Sequence, residues 1–197
     1  MGVPCQGPGG AVPGGSAAVT QYIEPGTYVL ICPVEDSTGS PHFTKGEFRP
    51  IVVRSSGSGA LAQDAAPSST ATIRLLDFGF AVDSQLTAGE HTLRVSNAGV
   101  EAHDLVMMKL APGITLGDVS RAMNPEAARR TDSAAKPPVP LESLGTLTGC
   151  IAAIHSGMDV FFAITLTRGD YVLLCMATAP DGRSHIEHGM AQRVSVQ

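Results

Sequence analysis

The distribution of apolar and polar positions in residues 70–197 predicts a series of short β-strands. Residues 71–82 alternate apolar and polar side chains, which is the pattern of a strand with one buried face. Further segments are short, apolar and flanked by turn residues, and we predict them as strands: 91–97, 104–110, 159–166, 170–175 and 192–196. One helix is predicted over 116–124, whereas residues 125–149 show no clear element. Strands at this spacing favour an all-β sandwich of two sheets.

An internal repeat sets the predicted domain organisation. Residues 25–53 align without gaps on residues 168–196 at an offset of 143 (168 − 25). At that offset the chain begins well inside the domain, so the first copy is its C-terminal half. We therefore predict a partial repeat over 1–54, a flexible linker of small and polar residues over 55–69, and a complete domain over 70–197.

Composition and charge argue against several classes of function. The chain has 197 residues, a formal net charge of −5 and no cluster of Lys and Arg, which argues against a nucleic-acid partner. No apolar run reaches the roughly 18 residues of a membrane helix, so no membrane span is expected. The N-terminal segment lacks the basic and apolar regions of a signal peptide. No nucleophile-elbow, phosphate-loop or HExxH motif occurs, and we expect no enzymatic activity.

The four cysteines stand at no zinc-finger spacing: Cys5, Cys32, Cys150 and Cys175. Cys32 and Cys175 each end an apolar strand, where a buried free thiol is common. For the other two, a disulfide between Cys5 and Cys150 and a pair of free thiols both remain open.

Three segments carry side chains that suit a single metal ion. His103 follows a predicted strand, Cys175 ends another, and the segment His-Ile-Glu-His-Gly-Met supplies His185, His188 and Met190. Two imidazoles, one thiolate and a weak axial thioether form the ligand set of a blue copper site. The repeat favours His185 as the second imidazole, because the first copy keeps a histidine opposite His185 but has a lysine opposite His188.

The segments Asn-Ala-Gly-Val-Glu-Ala-His, Tyr-Val-Leu-Leu-Cys and Gly-Arg-Ser-His-Ile-Glu-His-Gly-Met resemble those of the cupredoxins, or type 1 copper domains. The resemblance covers most of 70–197 and implies a Greek-key β-sandwich. It also implies a type 1 copper site formed by His103, Cys175, His185 and Met190. The nine residues between Cys175 and His185 make a longer loop than in small cupredoxins, and it is more similar to that of copper nitrite reductases.

Two interpretations of the complete domain remain open. In the first, it binds copper and transfers electrons to a redox protein that docks at an exposed edge of His185. In the second, it is a cupredoxin-like binding or structural module that has lost the metal. The first copy supports the second interpretation, since Cys32 and His42 persist there although Glu47 replaces Met190. That pair would then have a packing role.

The partial repeat predicts a sandwich without its first strands, and such an open edge favours aggregation. Three explanations remain open: the reading frame is truncated, another chain supplies the strands by swapping in a homo-oligomer, or residues 1–54 pack on the complete domain. We favour truncation, because it also explains the missing signal peptide. The cupredoxin resemblance implies a periplasmic or secreted location.

Overall fold

The computed structural model describes the following residues: 6–7, 18–21, 23–55, 66–124 and 138–197. They fall into two compact units. Of the described residues, the smaller unit holds 23–55 and 66, and the larger holds 67–124 and 138–197 together with two short strands from the N-terminal part of the chain. Within the described residues, no helix is long and apolar enough to cross a membrane.

The larger unit is a sandwich of two five-stranded sheets. The strands of the first sheet are β1 (Gln6–Gly7), β8 (His103–Leu110), β9 (Gly145–Ile154), β11 (Gly169–Leu174) and β12 (Ala191–Val196). Their spatial order is β1-β9-β8-β11-β12, and all neighbouring pairs are antiparallel.

The second sheet of the larger unit contains a parallel pair in its interior. Its strands are β2 (Val19–Gln21), β5 (Ala71–Leu76), β6 (Gly79–Val82), β7 (Gly89–Asn97) and β10 (Asp159–Leu166). The spatial order is β2-β10-β7-β5-β6, with β5 parallel to β7. Both strands of this parallel pair are therefore hydrogen-bonded on both edges.

Apolar side chains that point inward from the two sheets form the main core. In β10 the buried positions alternate with more exposed ones, and Val160, Phe162, Ile164 and Leu166 all face the core. The outer face of the first sheet is covered too, because α1 (Leu116–Met123) and α2 (Leu141–Leu144) pack a second apolar cluster against it. The strand β8 is consequently buried on both faces, and this holds its N-terminal residue rigidly in place.

The predicted all-β sandwich is confirmed, with differences in its elements. The predicted helix is confirmed as α1, which begins with a capping box formed by Thr115 and Asp118. The prediction of one strand over 71–82 is wrong, since a turn at residues 77–78 separates β5 from β6, and Phe78 has φ 64°. Residues 125–149 include a strand that the prediction lacks, because β9 begins at Gly145.

The smaller unit is a two-stranded antiparallel sheet of β3 (Gly26–Ile31) and β4 (Phe48–Val53), with a 3-10 turn (His42–Lys45) in the connecting loop. Its register places Gly26 opposite Val53, and β11 pairs with β12 at the corresponding positions. None of the described residues 23–55 is buried. The internal repeat and the predicted domain boundaries stay predictions, and β1 and β2 pair with the sheets of the larger unit.

The cysteines that the structure describes differ in oxidation state. Cys32 and Cys175 are free thiols, whereas Cys150 takes part in a disulfide. Cys5, the partner in one of the two alternatives left open above, lies outside the described residues.

Candidate metal centre

Two neighbouring strands bring a histidine and a cysteine to the same end of the first sheet. His103 is the first residue of β8, and Cys175 directly follows β11. Because β8 and β11 are antiparallel, with Val106 opposite Leu174, the start of one strand lies beside the end of the other. The loop between β11 and β12 then adds His185 from the third direction.

The ligand atoms of His103, Cys175 and His185 converge on a small volume. The Cys175 Sγ lies 3.3 Å from the His185 Nδ1 and 3.8 Å from the His103 Nδ1. The two Nδ1 atoms are 3.0 Å apart. Donors that share one first-row metal ion at bond lengths of ~2.0–2.3 Å are themselves separated by about 3–4 Å. All three side chains are fully buried, so water is excluded from this volume.

Each histidine contacts a carboxylate through its Nε2, on the side of the ring away from the converging Nδ1 atoms. The His103 Nε2 lies 3.1 Å from Asp77, and the His185 Nε2 lies 3.0 Å from Glu101. An Nε2–H group that donates to a carboxylate leaves the Nδ1 of the same neutral ring as a lone-pair donor towards the centre. Two such Nδ1 atoms and the Cys175 sulfur then converge on one point. A cation is the species that this convergence of lone pairs accommodates.

The thiol of Cys175 is shielded from solvent and receives one backbone hydrogen bond. Burial raises the pKa of Cys175 to about 11, although the Asp104 N–H donates to the sulfur at 3.2 Å and opposes that shift. In the metal-free protein the thiol is therefore protonated at neutral pH. A metal ion that binds here must displace this proton, so its affinity depends on pH.

The loop before His103 is shaped so that Asp77 can reach the histidine. The Asn97 side chain donates to the Glu101 oxygen within this loop and to the Ile154 oxygen at the end of β9, both at 2.7 Å, and so fixes the loop against β9. At Gly99 an added Cβ would lie 2.3 Å from the Asp77 carboxylate. Any larger residue at this position would displace Asp77, which explains the glycine.

The remaining predicted ligand, Met190, lies in the same loop as His185 and is fully buried. Its backbone N–H donates to the His185 oxygen at 2.8 Å, and its own oxygen accepts from the Cys175 N–H at 3.2 Å. These two bonds tie the three residues together through the main chain. His188 is different, since its Nε2 pairs with Asp181 rather than with the converging atoms.

The expectation of an exposed histidine edge at His185 is wrong. The residue is fully buried, because Glu101 covers its Nε2 and the Phe78 ring contacts it edge-on at 5.2 Å between centroids. Sequence reasoning also missed Asp77 and Glu101. Asp77 lies in a β-turn and Glu101 two residues before His103, and neither position carries a pattern that assigns it a role at the site.

Comparison with known proteins returns copper proteins among solved structures. Auracyanin from Roseiflexus castenholzii is 17% identical, with 64% of this chain and 94% of that chain covered and a TM-score of 0.39. Auracyanin A, a "blue" copper protein from Chloroflexus aurantiacus, is 19% identical, with 64% and 98% covered and a TM-score of 0.34. Rusticyanin from Thiobacillus ferrooxidans is 15% identical, with 64% and 76% covered and a TM-score of 0.31.

No protein-family model and no curated protein matches this chain. The TM-scores above are low, so the interpretation of the site rests on its own geometry.

Proposed function

We propose that the larger unit is a copper-binding electron-transfer domain with a type 1 site, in which His103, Cys175, His185 and Met190 are the ligands. The observation that supports this most strongly is the convergence of two Nδ1 atoms and one thiol sulfur in a buried volume, with 3.0 Å between the two nitrogens. A bound copper ion would supply the one-electron chemistry by alternating between Cu(II) and Cu(I).

The ligand types favour copper over a structural zinc ion. A thiolate and a thioether are soft ligands that suit Cu(I), while imidazoles suit Cu(II). Met190 is the buried sulfur residue nearest in sequence to His185, and their backbones are hydrogen-bonded. A closed structural zinc site is built from four Cys and His ligands, whereas the described residues bring three to this cluster, and their full burial excludes water as a fourth.

The protein's own side chains would keep the ligand geometry unchanged during electron transfer. Asp77 and Glu101 hold the protons on the Nε2 atoms of the two histidines, so both rings stay oriented towards the centre. The Asp104 N–H bonds the sulfur of Cys175, and hydrogen bonds of this kind tune the potential of a thiolate-ligated copper ion. Full burial of the ligands excludes water and so keeps the site closed to substrate.

Electron transfer requires a docking surface close to the ligands, and exposed apolar side chains are adjacent in sequence to Cys175 and to the two carboxylates that contact the histidines. Leu76 precedes Asp77, Val100 precedes Glu101 and Met176 follows Cys175, and all three side chains are exposed. We propose this rim as the docking surface for a redox protein. The disulfide at Cys150 supports an oxidising compartment, in keeping with a periplasmic or secreted location.

A copper titration of the full chain tests the proposal. We expect one equivalent of Cu(II) to produce an intense visible absorption from thiolate-to-copper charge transfer. The Cys175→Ser variant should lose that absorption, whereas Cys32→Ser, which changes the other free thiol, should keep it. A colourless protein, or a colour that survives Cys175→Ser, would support the metal-free binding module instead.

A further inference from the structure

A second cluster of ligand-type side chains lies in the smaller unit. Cys32 follows β3, His42 begins the 3-10 turn, and Glu47 directly precedes β4. The His42 Nδ1 lies 3.6 Å from the Cys32 sulfur and 2.9 Å from a Glu47 carboxylate oxygen. One imidazole nitrogen therefore faces a sulfur and a carboxylate at the same time.

The distance between Cys32 and His42 fits a tetrahedral zinc ion, and the distance between His42 and Glu47 is slightly short for one. Zinc bonds of about 2.3 Å to sulfur and about 2.0–2.1 Å to nitrogen place the two ligand atoms about 3.5 Å apart. The separation between Cys32 and His42 is 3.6 Å. By the same geometry the nitrogen and the carboxylate oxygen would be about 3.4 Å apart. That requires Glu47 to withdraw by only about half an ångström from its present position.

The backbone of this loop places the cysteine and histidine as the loop of the candidate copper site does. The Cys32 N–H donates to the Glu47 oxygen at 3.1 Å, and the Glu47 N–H donates to the His42 oxygen at 3.2 Å. In the larger unit the corresponding bonds, at the same offset of 143 residues, join Cys175 with Met190 and Met190 with His185. The cluster is thus held by a hydrogen-bonded loop rather than by a chance approach of surface side chains.

The chemistry of the cluster differs from that of a copper electron-transfer site. Glu47 stands where the other loop has Met190, and a carboxylate is a hard ligand that does not favour Cu(I). A thiolate and a carboxylate together neutralise the charge of a divalent cation. The three side chains are also partly exposed, with His42 at 36% and Glu47 at 62%, so water can complete the coordination.

We propose that Cys32, His42 and Glu47 form a second metal site, which binds a redox-inactive divalent cation of the Zn²⁺ class with water as the remaining ligand. None of the described residues 23–55 is buried, so the described part of this unit forms no buried apolar core. Small units of this kind gain stability from a structural metal. The ion would tie the 3-10 turn to the adjacent ends of β3 and β4.

Cobalt titration of the full chain tests this site, because Co²⁺ replaces Zn²⁺ and its thiolate complexes absorb in the near ultraviolet. The experiment uses a Cys175→Ala background, so that Cys32 is the only free thiol among the described residues. We expect the charge-transfer absorption to saturate at one equivalent and to disappear when Zn²⁺ is added. Cys32→Ser should abolish it.

Two exposed glutamates provide a matched comparison. Glu47→Gln should weaken Zn²⁺ binding by about tenfold or more, on the scale of the losses seen when metal-site partners are removed. Glu35→Gln, which changes an exposed carboxylate outside the cluster, should leave the affinity unchanged. Equal effects of the two substitutions would overturn the proposal, and so would an absorption that survives Cys32→Ser.

Hydrogen exchange on the unmodified chain provides a measurement that does not depend on any variant. Zn²⁺ should slow exchange of the Phe43 and Glu47 amides, which donate to the oxygens of Cys32 and His42. Unchanged exchange of both amides at saturating Zn²⁺ would overturn the proposal. Neither result depends on copper binding by the larger unit.

Discussion

The buried thiol of Cys175 makes the metal-free protein sensitive to alkaline pH. Burial raises the pKa of this thiol from its ordinary value of 9.0 to about 11 in the folded protein. The folded state therefore keeps the proton between these two values, while the unfolded state releases it. The protonated thiol's contribution to stability is fully present below the pKa of the unfolded state. It is lost as the pH rises from that value through the higher pKa of the folded state. A shift of one pKa unit corresponds to about 1.4 kcal/mol. Over the interval from 9.0 to about 11, the free energy of unfolding should therefore fall by about 3 kcal/mol.

Denaturant unfolding of the metal-free chain at a series of pH values, followed by circular dichroism, measures this loss. The Cys175→Ala variant should lack the contribution, so the difference between wild type and variant isolates it from other alkaline titrations. Cys32→Ala, which removes the other free thiol, should retain the alkaline loss. If wild type and Cys175→Ala lose stability in parallel across this range, the reasoning about a buried, protonated thiol is refuted.

Three substitutions test other parts of the account. Asp77→Asn removes the carboxylate charge behind His103, and it should weaken copper binding about 10- to 100-fold in a competition titration; an unchanged affinity would contradict the role of Asp77. Phe162→Ala empties a fully buried core position, so the free energy of unfolding should fall by about 3–5 kcal/mol in urea, and a loss below about 1 kcal/mol would contradict the packing described. Tyr171→Phe removes a hydrogen bond to the Thr167 oxygen at 2.9 Å and should cost about 1 kcal/mol. The counterpart Tyr28→Phe removes an exposed hydrogen bond to the Glu24 oxygen and should cost less, and the reverse order would be inconsistent with the burial of Tyr171.

The sandwich could be predicted because the spacing of apolar residues in its strands indicates which positions are buried. In β10 every second residue is buried, and this alternation is visible along the chain. The strand β9 could not be predicted in the same way, because Gly145 and Gly149 interrupt its pattern and its burial depends on α1 and α2. The turn between β5 and β6 could not be predicted either, because the residue with a left-handed backbone conformation in it is Phe78 rather than a glycine.

The candidate ligands could be predicted because their residue types are chemically distinctive. His103, Cys175 and His185 were identified from residue type and resemblance, and the structure brings their ligand atoms within 4.8 Å of one another. The two carboxylates that contact the histidines could not be predicted, because Asp and Glu are common in solvent-exposed loops and nothing in the sequence distinguishes these two. Asp77 reaches its histidine only through the parallel pairing of β5 with β7, which is a property of the fold.

X-ray absorption at the copper edge tests the central claim most directly. The sample is the full chain with Cys32→Ser and one equivalent of copper, so that Cys175 is the only thiol available among the described residues. We expect one short copper–sulfur bond together with two imidazole nitrogens. Coordination by nitrogen and oxygen alone would contradict the account.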